Sequence, residues 1–398
     1  MEKEIVLGTD LWLVKGAVRW AVYDLDAGVI IQITKEAGVF LSELLNSEGT
    51  PEEKREFIRK ESFALYETLK KERSLGRLFG TPVDLVFDHP NYMLWVEVTD
   101  ICNQKCLHCY TGSTGRGQFL DKEILRKVIN QASELKFEQI QFTGGEPFLY
   151  PALWDFVEHT RKLGDIPTIE IYSNLTLLKD EDIELMKKYQ VKLATTLLGS
   201  CPEVHDRCTR TKGSFNRFIS NIRKIRDSSI EFRIGVVTLP ENQNDIPALE
   251  ELMHKERLIS SQGSCLPDDV RPIGRGKNYP ISISEQSNDL YLHVDREYFS
   301  MAHYWNTCWG GELAITSRGE VLPCIFARDK ILGNAYNQSL RDIINGPAQK
   351  YWKIKSDRID KCKDCEYRYA CMDCRVLSFK SGRGLFGAPV RCNYDPYH

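Results

Sequence analysis

The chain is 398 residues long, 42% hydrophobic and 10% aromatic, which allows two or three domains with buried cores. A formal charge of −3 leaves no basic footprint for nucleic acid, and no apolar run approaches the ~18 residues of a membrane-spanning helix. The first residues, MEKEIVLGTD, mix charges and lack the apolar core of a secretion signal, so a cytoplasmic location is expected.

Residues 1–80 read as strands followed by helices. LWLVKG, VRWAVYDL and VIIQIT are rich in β-formers, the last two separated by a turn with Gly28 at its tight point. TKEAGVFLSELL and PEEKREFIRKESFALYETLKKE then carry apolar residues at helical spacing. A small independent module is expected, with VRWAVYDL leaving one polar face. Residues 81–92, with two prolines, read as a linker.

Between 93 and 285 strands and helices alternate. In order they are YMLWVEVT, DKEILRKVINQASEL, QIQFT, ALWDFVEHTRKL, TIEIYSN, DEDIELMKKY, VKLATTL, SFNRFISNIRKIRD, IEFRIGVVT and IPALEELMHKE. At least five βα units predict an α/β fold, a parallel sheet with crossover helices and ligands at the carboxyl ends of its strands. The last segment, 286–398, loses this periodicity and is dense in cysteine, as where metal replaces an extensive core.

Thirteen cysteines need a reason. In a reducing cytosol, clustered cysteines hold metal or do chemistry more often than they form disulfides. Ten fall into two sets: Cys102, Cys106 and Cys109, then Cys308, Cys324, Cys362, Cys365, Cys371, Cys374 and Cys392. Cys201, Cys208 and Cys265 stand apart and read as small buried hydrophobes.

The first set follows directly on a strand with the spacing C-x3-C-x2-C. A four-iron cluster on three thiolates leaves one iron for a ligand that is not protein. On these cysteines alone, a zinc site completed by His108 or a distant residue is the alternative. The next strand ends in TGGEP, where Gly144 and Gly145 let a ligand approach the backbone and Glu146 can accept from an amino group. The third ends in YSN, offering Ser173 and Asn174.

C-x3-C-x2-C after a first strand, GGEP after the second and SN after the third resemble the radical S-adenosylmethionine (SAM) superfamily. The resemblance implies a partial (β/α)6 barrel over 93–285. It also implies SAM chelating the free iron near Glu146, Ser173 and Asn174, and a 5′-deoxyadenosyl radical that abstracts a substrate hydrogen. GVVTLPENQ and RPIGRG (271–276) resemble that family's stretches near the fifth and sixth strands. An electron donor such as flavodoxin or ferredoxin is implied as well.

The second set, C-x10-G-x4-C, then C-x2-C-x5-C-x2-C, then C, resembles the SPASM extension of these enzymes. It departs in placing two residues, not three, between Cys371 and Cys374. The resemblance implies two auxiliary four-iron clusters, making three in all. One would be held by Cys362, Cys365, Cys371 and Cys392, the other by Cys308, Cys324 and Cys374. That is seven cysteines for eight corners. Cys265 or His303 could complete the set, or an iron is open to a substrate thiolate.

The first ~80 residues resemble the peptide-recognition element of ribosomal-peptide biosynthesis, a winged-helix-like module. It implies capture of a precursor's leader by strand addition. A cap that only packs on the barrel is the plainer alternative. The expected activity is a radical SAM–SPASM peptide maturase forming a thioether from cysteine to carbon. Carbon–carbon crosslinking, epimerisation with Cys201, Cys208 or Cys265 as hydrogen donor, and sulfatase maturation share most of this layout. An electron-transfer adaptor is the non-enzyme reading. No Asp, Glu, Tyr or His separates itself as a general base.

Overall fold

A computed structural model describes residues 4–85, 91–259, 267–280 and 292–398. Cys265 and linker residues 86–90 lie outside the described residues. The chain divides into two compact units, Met1–Pro90 with Glu285–Gly310 and Tyr351–His398, and Asn91–Ser284 with Gly311–Lys350.

In the first unit β1 (Glu4–Gly8), β2 (Leu11–Lys15), β3 (Arg19–Asp24) and β4 (Val29–Thr34) form an antiparallel meander. The helices α1 (Lys35–Leu45), α2 (Pro51–Glu61) and α3 (Phe63–Lys71) follow. Thr50 and Glu53 form a capping box at the start of α2, with Pro51 in its first turn. The single helix expected across 51–72 is broken at Ser62, whose φ of −145° and ψ of 73° are not helical. Trp20, Val22, Ile31 and Ile33 of the sheet meet Leu41, Ile58, Leu65 and Leu69 of the helices in one core.

Two expectations are corrected here. The other face of the sheet is not polar, because Val14, Ala21 and Tyr23 pack on Phe299, Ala302, Tyr369 and Ala370. Nor is the module independent, since this second core joins it to the chain's C-terminal part. Among the described residues, the outer edge of β4 pairs with no further strand.

In the second unit β5 (Met93–Thr99), β6 (Gln139–Gly144), β7 (Thr168–Tyr172), β8 (Val191–Thr196) and β9 (Phe232–Gly235) lie side by side in parallel. The connections are α4 (Lys122–Glu134), α5 (Leu153–Leu163), α6 (Asp180–Tyr189) and the pair α7 (Pro202–Thr209) and α8 (Ser214–Asp227). α9 (Ile246–Lys255) comes next in the chain. The last expected strand breaks after Gly235, and β10 (Val237–Thr238) pairs in parallel with β11 (Asp268–Asp269).

A sixth parallel strand, β12 (Glu312–Ile315), joins the free side of β5 and carries antiparallel β13 (Glu320–Leu322) and β14 (Gly333–Asn334). The segment 286–398 is therefore not one C-terminal domain. Gly311–Lys350 continues the barrel sheet because β12 completes the hydrogen-bond ladder of β5. The result is an α/β partial barrel, with β5 buried along nearly its whole length, as parallel strands are.

Candidate functional site

The loop leaving β5 carries Cys102, Cys106 and Cys109, and the ends of β6 and β7 are built against it. Gly145 N donates to Thr99 O at 2.7 Å and Glu146 N to Ile101 O at 2.9 Å. A Cβ on Gly144 would lie 2.1 Å from Thr99 O, and one on Gly145 2.0 Å from Ile101 O. The two glycines thus admit the start of the cysteine loop itself, where a ligand was expected.

Glu146 is fully buried. Its Oε1 accepts from Ser173 Oγ at 2.7 Å and Phe148 N at 3.1 Å, and its Oε2 from Asn174 N at 2.9 Å. Burial pushes its carboxyl up to about 7, against the pull of these donors. The structure brings Glu146, Ser173 and Asn174 together, but turns the carboxylate onto the other two as a brace between the ends of β6 and β7. Asn174 continues the brace, with Nδ2 donating to Asn103 Oδ1 at 2.9 Å and lying 3.8 Å from Cys102 Sγ.

Every donor here points at the carboxylate, so an amide cannot replace it cleanly. Glu146→Gln would set an amide N–H against Asn174 N or Phe148 N. It is expected to cost about 2–3 kcal/mol, read as a lower urea midpoint at unchanged slope.

The cysteines suit iron. Burial pushes the Cys102 thiol up to about 12 and Cys106 higher still, so metal must displace tightly held protons. Gln104 Nε2 is buried beside them without a partner. Among the described residues no three His, Cys, Asp or Glu side chains are gathered as for a single metal ion. A four-iron cluster would take each of the three thiolates on its own iron.

A cavity of about 380 Å³ opens inside the strands. Its wall includes Gln141, Thr143, Tyr172, Thr196 and Arg233 from β6 to β9. Tyr172 Oη and Thr196 Oγ1 are 2.7 Å apart. Arg233 grips Glu170 of β7 with both ends of its guanidinium, Nε to Oε2 at 2.9 Å and Nη2 to Oε1 at 2.8 Å, and Gln141 adds a donor to the same carboxylate. These residues escaped the sequence reading. The signal was there, as polar residues at alternate positions of buried strands, Gln141 and Thr143, Glu170 and Tyr172, with Arg233 on β9.

Two cysteine loops border this cavity. The first contributes His108 and Tyr110, and the stretch after Cys324 contributes Ile325 and Phe326. Tyr110 meets Phe326 edge-on at 5.3 Å. Burial holds His108 down at about 4, so its imidazole is neutral. Arg328, four residues past Cys324, pairs with the buried Glu97 of β5.

In the first unit Cys362, Cys365, Cys371 and Cys392 line one cavity together with Arg368 and Asp373. Burial pushes Cys365 and Cys371 up to about 12. The N-terminal sheet grips this loop: Ala17 N donates to Asp364 O at 2.8 Å, Arg368 Nη1 to Lys15 O at 2.8 Å, and Gln32 Nε2 to Glu366 Oε1 at 2.7 Å. Cys308 and Cys374 belong to this unit and Cys324, buried after β13, to the other. His303 stacks among Trp12, Phe299 and Tyr369 and faces Glu4 at 3.5 Å, the setting of a core histidine. Cys208 packs with Leu198 and Leu239 as a small hydrophobe, and Cys201 precedes α7.

Residues 96–253 match the Radical SAM superfamily, and 308–366 an iron–sulfur cluster-binding domain, SPASM. GTP 3′,8-cyclase of Clostridium botulinum is 31% identical over 270 residues, covering 61% of this chain and 83% of that protein. The antilisterial bacteriocin subtilosin biosynthesis protein AlbA of Bacillus subtilis is 26% identical, over 72% of this chain and 68% of its own. The crystal structure of Streptococcus suis SuiB bound to precursor peptide SuiA matches the fold with a TM-score of 0.56 at 16% identity, over 98% of this chain and 100% of that one. Among the described residues no helix is long and apolar enough to cross a membrane.

Proposed function

The chain belongs to the radical SAM superfamily, whose members are enzymes that use SAM and an iron–sulfur cluster, and on that premise we propose that it modifies a ribosomally made precursor peptide by joining a cysteine sulfur to a carbon. The likeness to the subtilosin biosynthesis protein and to SuiB supports a peptide substrate. The observation that carries the thioether is the cavity bordered by both cysteine loops, His108 and Tyr110 on one side, Ile325 and Phe326 on the other. A peptide held there would lie between the loop of Cys102, Cys106 and Cys109 and the stretch that follows Cys324.

Cys102, Cys106 and Cys109 would hold the SAM-binding cluster. Cys362, Cys365, Cys371 and Cys392 would hold one auxiliary cluster, and Cys308, Cys324 and Cys374 the other, for three in all. When bound, the first cluster and SAM supply a 5′-deoxyadenosyl radical that takes a hydrogen atom from carbon. Forming the carbon–sulfur bond removes from the peptide that hydrogen atom, the thiol proton and one electron. An auxiliary iron–sulfur cluster, when bound, would accept that electron, and a flavodoxin or ferredoxin would supply the one consumed in cleaving SAM.

The chain's own residues shape and dry the reaction space. Gln141 and Arg233 line it, both held by the Glu170 carboxylate, and the Tyr110–Phe326 contact closes one wall against water. Gly144 to Glu146, Ser173 and Asn174 hold the cysteine loop where SAM would bind. The leader would add as a strand beside the open edge of β4.

Co-expression with a short cysteine-containing peptide encoded beside the gene tests this reading. The expected product has lost two hydrogens and a thiol that alkylating reagents can reach. Loss of two hydrogens with the thiol intact would point to a carbon–carbon bond, and an unchanged mass with inverted stereochemistry to epimerisation. Either result would end the thioether proposal.

A further inference from the structure

The loop that carries the first three cysteines has little regular structure, so its backbone carbonyls must find donors elsewhere. One residue supplies three of them. Arg275 Nε donates to Cys106 O at 2.8 Å, its Nη1 to Ser113 O at 2.8 Å, and its backbone N to Cys109 O at 2.9 Å. Two of those carbonyls belong to cysteines that would bind iron. Gly274 makes the approach possible: its φ is +54°, and a Cβ there would lie 2.3 Å from Tyr110 O and 2.4 Å from Cys109 O. The stretch RPIGRG is therefore fitted to the cysteine loop by backbone as well as side chain.

The guanidinium also brings charge. Arg275 Nη2 is buried and without a partner, a donor left over after the carbonyls are satisfied. A fixed cation beside an iron–sulfur site favours whichever state carries more negative charge, which is the reduced one.

We propose that Arg275 is a positioning residue with two separable tasks, clamping the loop of Cys102, Cys106 and Cys109 through its carbonyls and raising the reduction potential of the cluster bound there. The inference rests on the reading that these cysteines hold an iron–sulfur cluster. Lysine keeps the charge but lacks the planar fork, whereas glutamine loses the charge.

The test uses the full reconstituted chain as wild type, Arg275→Lys and Arg275→Gln. The reduced cluster is followed by the electron paramagnetic resonance signal that shifts on adding SAM. Two quantities are read, the reduced-to-oxidised ratio at a fixed potential and the rate of iron loss to a chelator. Arg275→Gln is expected to lower the ratio about tenfold, a shift of about 59 mV for one electron, and to release iron faster. Arg275→Lys is expected to keep a ratio within about twofold of wild type while also releasing iron faster.

If both variants lower the ratio equally, or neither does, the inference is overturned. Should Arg275→Gln hold no cluster, Arg275→Lys decides: a wild-type ratio with faster iron loss supports the two tasks, and a lowered ratio refutes them. A wild type without any SAM-shifted signal would overturn the cluster reading and this inference together, whereas a signal indifferent to Arg275 would overturn the inference alone.

Discussion

Replacing Cys102, Cys106 and Cys109 together by alanine is expected to lower iron in the anaerobically reconstituted chain from about 12 to about 8 atoms and to abolish SAM cleavage. The three side chains leave β5 on one loop, braced by Asn174 at Asn103 and capped by Arg275 at the Cys106 and Cys109 carbonyls. None of these braces is a thiol, so the loop should keep its path without metal. The two auxiliary sites proposed above would draw on other cysteines, so their iron should stay. Iron and sulfide assay with SAM turnover measures both effects. A wild type holding about 4 iron, with zinc on the later cysteines, would remove the auxiliary redox role and with it the acceptor for the thioether electron.

The alternation of strand and helix in the second unit was legible because each amphipathic helix and each buried strand declares itself over ten or so neighbouring residues. So was the loop of Cys102, Cys106 and Cys109 at the end of the first strand. What escaped depends on distance or direction. β12 pairs with β5 across more than 200 residues of sequence, and no local pattern says that 311–350 belongs to the barrel. α7, PEVHDRCT, has too few apolar residues to show a helical stripe. Ser62 breaks a helix with neither proline nor glycine in reach. Glu146 was recognised by type, but the direction of its carboxylate, onto Ser173 and Asn174, depends on how β6 and β7 end side by side. The alternating polar residues of β6 and β7, and Arg233 of β9, were present in the letters, and only the curvature of the sheet makes their face the inside.

Arg328→Ala is expected to destabilise the second unit by about 3 kcal/mol, near the lower end for breaking a buried ion pair because Arg328 is 28% exposed. Its partner Glu97 is only 1% exposed, and its Oε2 has no other partner. Burial raises the Glu97 carboxyl, Arg328 opposes this, and Asp100 and Glu320 nearby add negative charge, so truncation strands a buried carboxylate. For a unit of this size the loss corresponds to a fall in Tm of about 10 °C. The chemistry should suffer separately. Arg328 sits over the ring of Tyr110, and its segment begins at Cys324, where Ala327 N donates to Cys324 O at 2.9 Å. Releasing it frees both the Phe326 wall and Cys324, the proposed ligand, to shift, and a displacement of about 1 Å at a reacting centre costs on the order of 100-fold. The pair Glu97→Met with Arg328→Leu divides the two effects. Apolar residues of similar volume should restore much of the Tm, because a buried ion pair is often no better than good packing. Peptide modification should stay low, because an uncharged leucine side chain cannot hold the Cys324 loop to β5 by charge. Recovery of Tm and modification together would reduce Glu97–Arg328 to a stabilising contact. An unchanged Tm in Arg328→Ala would mean that the carboxylate finds water in solution and that the pair holds nothing in place.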